Sequence, residues 1–145
     1  MAHLRTVLLA SVALHGCALH TGHTIDPYGP DVQEACKLEV RAADTCRQRR
    51  GGIVPPYSFT TDGCSYWPDG TWKECCVEHD IAYWCGGGFS DRVEADRKLA
   101  ECVEKTGKSS LFAGSMRLGV RLFGAQVLPT SFRWGYGWPY PCAGP

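Results

Sequence analysis

The chain has 145 residues, with fifteen basic and fifteen acidic side chains, so its formal net charge is zero. This length provides for one domain around one hydrophobic core, and the balanced charge gives no indication of a nucleic-acid partner. Nine cysteines in so short a chain are typical of a protein that folds in an oxidising compartment, where disulfides supplement a small core.

The N-terminal residues have the pattern of an export signal. Arg5 precedes an apolar run over residues 6–14, which is too short to span a bilayer but matches the length of a signal-peptide core. The run ends in Leu14-His15-Gly16-Cys17, which resembles the cleavage and lipidation site of bacterial lipoproteins. An ordinary secretory signal is the alternative interpretation, and both predict export.

Processing at this site would divide the chain into three parts. We expect a lipoprotein signal peptide over residues 1–16, a polar tether over residues 17–30 and one domain over residues 31–142. Lipidation of Cys17 would anchor the protein in the bacterial cell envelope, and the non-acidic Ala18 favours the outer membrane by analogy with other lipoproteins. Eight cysteines would remain, an even number that fits a fully oxidised domain.

Capping residues, apolar periodicity and helix breakers predict four helices, and therefore a mainly α fold with long ordered loops. Asp31 with Glu34, and Thr71 with Glu74, have the spacing of capping boxes at the first two helices. The predicted helices cover residues 31–49, 72–84 and 91–106 and a stretch within residues 110–126.

Helix geometry restricts two of the disulfides. Cys36 and Cys46 lie ten residues apart on the first predicted helix, which separates them by roughly 15 Å. Bridged cysteines have Cα atoms within about 7 Å of each other. Each should therefore pair elsewhere, with Cys85 and Cys142 as the remaining candidates.

The second predicted helix carries a histidine on its apolar stripe. Trp72, Cys75, Cys76 and Tyr83 lie on one face at helical spacing, and His79 falls on the same face. The histidine therefore points inward, with Asp80 at the edge of this face.

The third predicted helix carries a carboxylate where an apolar residue is expected. Because an unpaired buried charge would cost several kcal/mol, Asp96 needs a partner, and His79 is the obvious one. The rest of the same stripe consists of Ala95, Leu99, Cys102 and Val103.

A bridge from Cys75 or Cys76 to Cys102 would make these two helices antiparallel and bring Asp96 within reach of His79. An imidazole held by a buried carboxylate is a well-oriented general base. This pairing predicts a catalytic centre between the two helices.

Asp80 beside this base suggests a site for a hard cation. The preceding loop contains Asp62, Gly63 and Asp69. Calcium takes carboxylate, carbonyl and water oxygens, and glycine-bearing turns present carbonyls readily. Such an ion acts as a Lewis acid on a carbonyl or phosphate group.

The stretch CCVEHDIAY resembles the active-site signature of the secreted phospholipase A2 family, in which two cysteines, a histidine, an aspartate and a tyrosine keep this spacing. The stretch ADRKLAEC resembles the second helix motif of that family, and DGCSYWPDG looks like the calcium-loop region of its short bacterial and fungal members. The resemblance covers residues 59–103. It implies a disulfide-stapled phospholipase A2-like fold with two antiparallel catalytic helices.

The resemblance also implies roles for individual residues. His79 would activate water, Asp96 would orient His79, and Tyr83 would hydrogen-bond Asp96. Asp80 would bind calcium together with Asp62 and the carbonyl of Gly63. The matching bridges would be Cys75–Cys102 and Cys64–Cys76.

The sequence departs from the family pattern at two places. Many members have a bridge between the positions that Ala82 and Ala95 occupy here, and both of its cysteines are absent together. The repeated glycines of the animal calcium loop are also missing, which leaves calcium binding less well supported than the catalytic pair.

Two other interpretations of these residues are open. Cys64, Cys75, Cys76, His79 and Cys85 could supply soft ligands to zinc, although adjacent cysteines on one helix give poor tetrahedral geometry. Alternatively, His79 and Asp96 could be a buried polar pair that only fixes packing.

The C-terminal half carries aromatic and basic side chains that also allow two interpretations. Arg117 and Arg121 could meet lipid headgroups, but exposure to solvent is the default expectation. The tail around Arg133 suits either a membrane-interface surface or an extended segment that covers the core, pinned by Cys142, and we favour the second. Its aromatic side chains lie at positions 132, 134, 136, 138 and 140.

The sequence therefore predicts an enzyme that hydrolyses an acyl ester of a glycerophospholipid with calcium and a water activated by His79 and Asp96. We expect a monomer whose partners are the phospholipid substrate and a membrane surface. The alternative is a catalytically inactive, lipid-anchored envelope protein that uses the fold for binding or structure.

Overall fold

The computed structural model describes residues 25–26 and 31–140. The predicted signal peptide, the lipidation site at Cys17 and the predicted pairing of Cys142 lie outside the described residues. Within the described part of the chain, the predicted mainly α class is confirmed. Its elements are β1 (Ile25–Asp26), α1 (Val32–Arg49), β2 (Thr61–Asp62), α2 (Lys73–Cys85), α3 (Phe89–Lys105) and α4 (Ser110–Phe123).

The helix boundaries follow local capping chemistry. Asp31 caps α1 as predicted, because its carboxylate accepts hydrogen bonds from two backbone N–H groups of the first turn. The predicted cap at Thr71 is wrong: α2 begins after Trp72 with no side-chain cap, and a backbone turn from Gly70 leads into it. The start of α3 lies two residues earlier than predicted, because the Asp91 side chain accepts from the N–H of Gly88.

The two strands form a minimal parallel pair. Ile25 lies opposite Thr61, and Asp26 lies opposite Asp62. A short part of the predicted tether is therefore paired with the loop that precedes α2.

Helix α2 is buried on more than the single stripe that its sequence predicts. One side packs with α1 in a cluster that includes Leu38, Val77 and Ile81. The other side packs with α3 and α4 in a cluster that includes Leu99 and Met116. The helix thus lies at the centre of the domain, and its side chains are shielded on both sides.

Three disulfide bridges join described residues. Cys75–Cys102 and Cys64–Cys76 are the pairs that the resemblance implies, and Cys46–Cys85 joins the last turns of α1 and α2. Cys36 is also disulfide-bonded, and the predicted exclusion of a Cys36–Cys46 bridge holds. Because Cys75–Cys102 links the first turn of α2 to the last turn of α3, these helices lie antiparallel.

The aromatic tail over residues 131–140 covers the core, but as consecutive turns rather than as an extended strand. Its backbone and indole N–H groups bind the C-terminal end of α2. Gly135 N–H donates to the carbonyl of Tyr83 (2.6 Å), Gly137 N–H to that of Trp84 (3.2 Å), and Trp138 Nε1 to that of Cys85 (2.9 Å). The tail thereby satisfies carbonyls that a helix leaves without partners in its own last turn.

No helix within residues 31–140 is long and apolar enough to cross a bilayer.

Candidate active site

The centre of the site is a buried pair between α2 and α3. His79 Nε2 lies 3.0 Å from Asp96 Oδ1, and the two side chains are 6% and 0% exposed. The two side chains meet because each lies on the buried face of its helix, and the Cys75–Cys102 bridge holds the two helices side by side. With Nε2 occupied by Asp96, Nδ1 is the ring nitrogen that remains able to accept a proton.

Tyr83 lies one turn after His79 and binds the same carboxylate oxygen. Its hydroxyl donates to Asp96 Oδ1 at 2.7 Å, and its ring lies 4.1 Å from the imidazole ring. Burial, followed by the charge of Asp96, raises the pKa of Tyr83. The phenol therefore stays protonated and acts as a fixed donor.

Arg121 on α4 supplies a third partner to Asp96. Its Nη1 donates to Oδ2 at 2.9 Å, and about a quarter of its side chain is exposed. The expectation that Arg121 faces solvent is therefore wrong. One feature of the sequence could have indicated this contact. A buried carboxylate needs compensation for its charge, and the histidine and tyrosine of α2 supply no fixed positive charge, so a lysine or arginine partner was to be expected.

These three bonds determine the ionisation of Asp96. Burial alone would raise the pKa of this carboxyl, but hydrogen bonds from His79, Tyr83 and Arg121 outweigh that effect, so its pKa lies below the ordinary value. Asp96 is therefore an anion that holds the imidazole in one orientation.

Arg92 secures the end of α4 beside the site, a role that the sequence did not indicate. Its guanidinium donates to the carbonyls of Val120 (3.0 Å) and Arg121 (2.7 Å), and to the hydroxyl of Tyr83 (3.2 Å). A cation at the last carbonyls of a helix satisfies acceptors and complements the helix dipole.

Asp80 lies on the other side of the imidazole. Its Oδ1 is 4.0 Å from His79 Nδ1, its Oδ2 accepts from the hydroxyl of Thr61 at 2.6 Å, and its side chain is 18% exposed. Burial raises the pKa of Asp80 well above its ordinary value, the Thr61 bond opposes this, and the charge of Asp62 adds to it. Within the described residues, this carboxylate has no arginine partner of the kind that Asp96 has in Arg121.

The loop after β2 folds around Thr61. Gly63 N–H donates to the Thr61 hydroxyl at 3.1 Å, and Asp62 accepts from the hydroxyl of Ser65. Gly63 has φ +77°, and a Cβ there would lie 2.7 Å from Asp69 Oδ1, so this turn requires glycine. The structure therefore brings the predicted calcium-loop residues to the edge of the site, with the carboxylate of Asp62 turned toward Ser65.

The donor chemistry at this edge suits a hard cation better than a soft one. Of the predicted zinc ligands, the four cysteines are all engaged in disulfides. Among residues 31–140, no group of three or more histidine, cysteine, aspartate or glutamate side chains is placed to hold a metal ion. A cation here would take Asp80, Asp62 and carbonyl oxygens such as that of Gly63, which are the ligand types that calcium prefers.

A cavity of about 460 Å³ opens onto His79 and Asp80. Most of its wall is apolar and comes from α2, α4 and the loop after β2. Two of the rim residues, Tyr66 and Phe123, are themselves largely exposed. The remaining wall residues are Gly63, Cys64, Ser65, Trp67, Cys76, Tyr83, Leu99, Met116, Gly119, Val120, Gly124 and Phe132.

Comparison of the chain with models of known protein families, with curated proteins and with solved structures finds no match.

Proposed function

We propose that the protein hydrolyses an acyl ester of a glycerophospholipid by a phospholipase A2-like reaction. The observation that carries this proposal is the buried His79–Asp96 pair, 3.0 Å apart, at the end of a largely apolar cavity. Hydrolysis by general-base catalysis needs a proton acceptor beside the attacking water, and binding of an acyl chain needs apolar walls. The site offers both in one place.

The reaction proceeds by direct attack of water. His79 Nδ1 accepts a proton from a water in the cavity while the water oxygen attacks the ester carbonyl. Asp96 holds the imidazole with its other proton on Nε2 and stabilises the imidazolium that forms. His79 then donates the proton to the departing alkoxide, so that ester and water yield a fatty acid and a lysophospholipid. Tyr83 and Arg121 keep Asp96 in position throughout.

We also propose that calcium is the cofactor of this reaction. Asp80, Asp62 and the Gly63 carbonyl would hold it, and the raised pKa of Asp80 reflects a buried carboxylate whose charge no cationic side chain within residues 31–140 balances. Bound there, the ion would polarise the ester carbonyl and balance the charge that develops on its oxygen.

The fold and the N-terminus support two associated proposals. Two antiparallel helices that carry the catalytic pair and are stapled by Cys75–Cys102 fit a phospholipase A2-like fold. Disulfides favour an exported protein, and we propose lipidation at Cys17 in the bacterial envelope. A Cys17→Ser variant should then leave the membrane fraction.

The first experiment is fatty-acid release from mixed phospholipid micelles by the oxidised domain, with calcium and with a chelator. His79→Ala should abolish the release, since His79 is the only histidine within residues 31–140. Glu78→Gln is the matched control, because Glu78 is the exposed neighbour on the same helix and forms an ion pair with Arg41 away from the site. We expect this variant to retain wild-type turnover.

A folded wild-type protein that releases no more fatty acid than His79→Ala would contradict the proposal. The alternative, an inactive lipid-anchored envelope protein, would then account for the buried pair as a packing device. Release that persists in the chelator would contradict only the calcium proposal.

A further inference from the structure

We infer that Gly119 determines how much room the cavity offers to an alkyl chain, and is therefore the specificity-determining residue of the site. The chemical class of the ligand, a single long acyl or alkyl chain on a phosphate headgroup, rests on the proposed function. The geometry at Gly119 is independent of it.

Gly119 lies on the cavity-facing side of α4. Met116 lies three residues before it and Phe123 four residues after it, which is helical spacing, and both line the cavity together with Gly119 and the adjacent Val120. A side chain at position 119 would therefore point toward the same space that these three residues border.

That space is open at Gly119. A Cβ built there would have no heavy atom within 4 Å. Since the residue lines the cavity and its backbone is helical, the missing side chain corresponds to unfilled cavity volume rather than to a packing requirement.

The other two glycines of the cavity wall differ in this respect. Gly63 has a positive φ, and its Cβ would meet Asp69. A Cβ on Gly124 would lie 2.5 Å from the ring of Tyr83. A side chain at either of those two positions would clash with neighbouring atoms, whereas a side chain at position 119 would not.

Helix propensity adds a stability cost to the absence of a side chain at Gly119, which unlike Gly114 lines the cavity. Glycine within a helix costs roughly 1 kcal/mol relative to alanine. A glycine that faces open space inside a helix therefore lowers stability without relieving any clash, and the gain that we assign to it is room for a ligand chain.

Gly114 supplies a matched control on the same helix. It too would have no atom within 4 Å of an added Cβ, but it is exposed and does not line the cavity. Substitution at Gly114 changes helix propensity and surface polarity in the same way as at Gly119, without touching the cavity.

The experiment measures binding of octyl-, dodecyl- and hexadecylphosphocholine, which carry no ester, by the change in tryptophan fluorescence, since Trp67 lines the cavity. Wild type and Gly114→Leu should bind more tightly as the chain lengthens, by about fourfold for each added methylene that is buried. Gly119→Leu should bind hexadecylphosphocholine about tenfold more weakly and show a flatter dependence on chain length. Gly119→Ala should lie between them.

Thermal unfolding separates this effect from misfolding. Gly119→Ala and Gly114→Ala should both unfold at or above the wild-type temperature, because each replaces a helical glycine. A Gly119→Leu protein that keeps the chain-length dependence of Gly114→Leu would overturn the inference, as would a wild type that binds none of the three ligands. Reduced binding in Gly119→Leu together with no ester hydrolysis by wild type would support the inference and contradict the proposed function.

Discussion

Asp96 receives hydrogen bonds from three side chains that lie on two other helices. His79 and Tyr83 both lie on α2 and bind one carboxylate oxygen, while Arg121 on α4 binds the other. The position of this carboxylate therefore depends on three helices at once. It follows that a change on α4, remote from the reacting atoms, should alter the site.

We expect Arg121→Gln to make the protein more sensitive to acid. The pKa of Asp96 is held below its ordinary value, so its contribution to stability is present above pH about 4 and is lost as the pH falls through the lowered pKa. Without Arg121 that pKa rises and the loss begins at a higher pH. Circular dichroism during an acid titration should show earlier unfolding, with about 2 kcal/mol lower stability at neutral pH.

Arg117→Gln is the control for this prediction, because Arg117 is an exposed arginine on the same helix. Equal acid midpoints for the two variants would contradict a stabilising role for the Arg121–Asp96 pair.

We expect Asp80→Asn to be more stable than wild type at neutral pH in a chelator. The pKa of Asp80 is raised by burial, so the folded state holds a proton that the unfolded state has lost, and stability falls as the pH rises above about 4. Asparagine keeps the acceptor for Thr61 and removes the charge. Denaturant unfolding should show a gain on the order of 1 kcal/mol, which disappears near pH 4.

Calcium should reverse this difference in stability, so that wild type becomes more stable than Asp80→Asn. Added calcium should stabilise wild type through binding to the folded state and leave Asp80→Asn unchanged. Equal stabilisation of both proteins would place the ion elsewhere.

At the scale of residues, the sequence identifies the members of one motif and misses their remote partners. The spacing of His79, Asp80 and Tyr83 on one helix, and a lone carboxylate at Asp96, are visible without coordinates. Arg92 lies on α3 and Arg121 on α4, outside the helix that carries the motif, and no local sequence pattern distinguishes them from other arginines.

At the scale of elements, α2 depends on covalent bonds at both ends. Cys75 and Cys76 near its start bind α3 and the preceding loop, and Cys85 at its end binds α1. The bridges at the start hold the His79–Asp96 pair in register, whereas the bridge at the end lies away from it.

We expect the double variant Cys75→Ala/Cys102→Ala to lose about 3–4 kcal/mol of stability, since the bridge spans 27 residues. It should also lose most of its turnover at a temperature where it remains folded, because α2 and α3 are then free to shift. Fatty-acid release and denaturant unfolding measured on the same sample check both effects.

Cys46→Ala/Cys85→Ala is the matched control, with a bridge that spans 39 residues. It should lose a similar amount of stability and keep its turnover while folded. If both double variants lost turnover equally, the Cys75–Cys102 bridge would have no special role in the site.

Helix positions can be predicted from this sequence more reliably than the way the helices pack. Asp31 and the glycines after each helix mark the ends locally. The apolar stripe on α2 predicts burial on one face, but Val77, Ile81 and Trp84 on the opposite side are buried against α1 as well. Packing around a central helix is a property of the assembled domain, which a single helical pattern does not show.

At the scale of the whole molecule, the aromatic tail closes the domain. Trp134 is 2% exposed, its indole donates to the carbonyl of Gly87 at 2.9 Å, and its ring meets that of Tyr83 edge to face. The tail therefore packs against the end of α2, although it lies some fifty residues later in the sequence.

We expect Trp134→Ala to lower the free energy of unfolding by about 3–5 kcal/mol, because it leaves a cavity beside Tyr83 and an acceptor without its donor. Tyr140→Ala, at the exposed end of the same tail, should change it by about 0.5 kcal/mol or less. Urea unfolding curves compare the two, and equal losses would argue against the tail as part of the core.

The contacts between the tail and α2 also bear on when the protein can fold during its synthesis. Among the described residues, the carbonyls of Tyr83, Trp84 and Cys85 receive hydrogen bonds from residues 135–138. When the ribosome has made α1 to α4 but not these residues, the last carbonyl groups of α2 still lack these hydrogen-bond donors. We therefore expect the native site to assemble only after residue 138 has emerged from the ribosome.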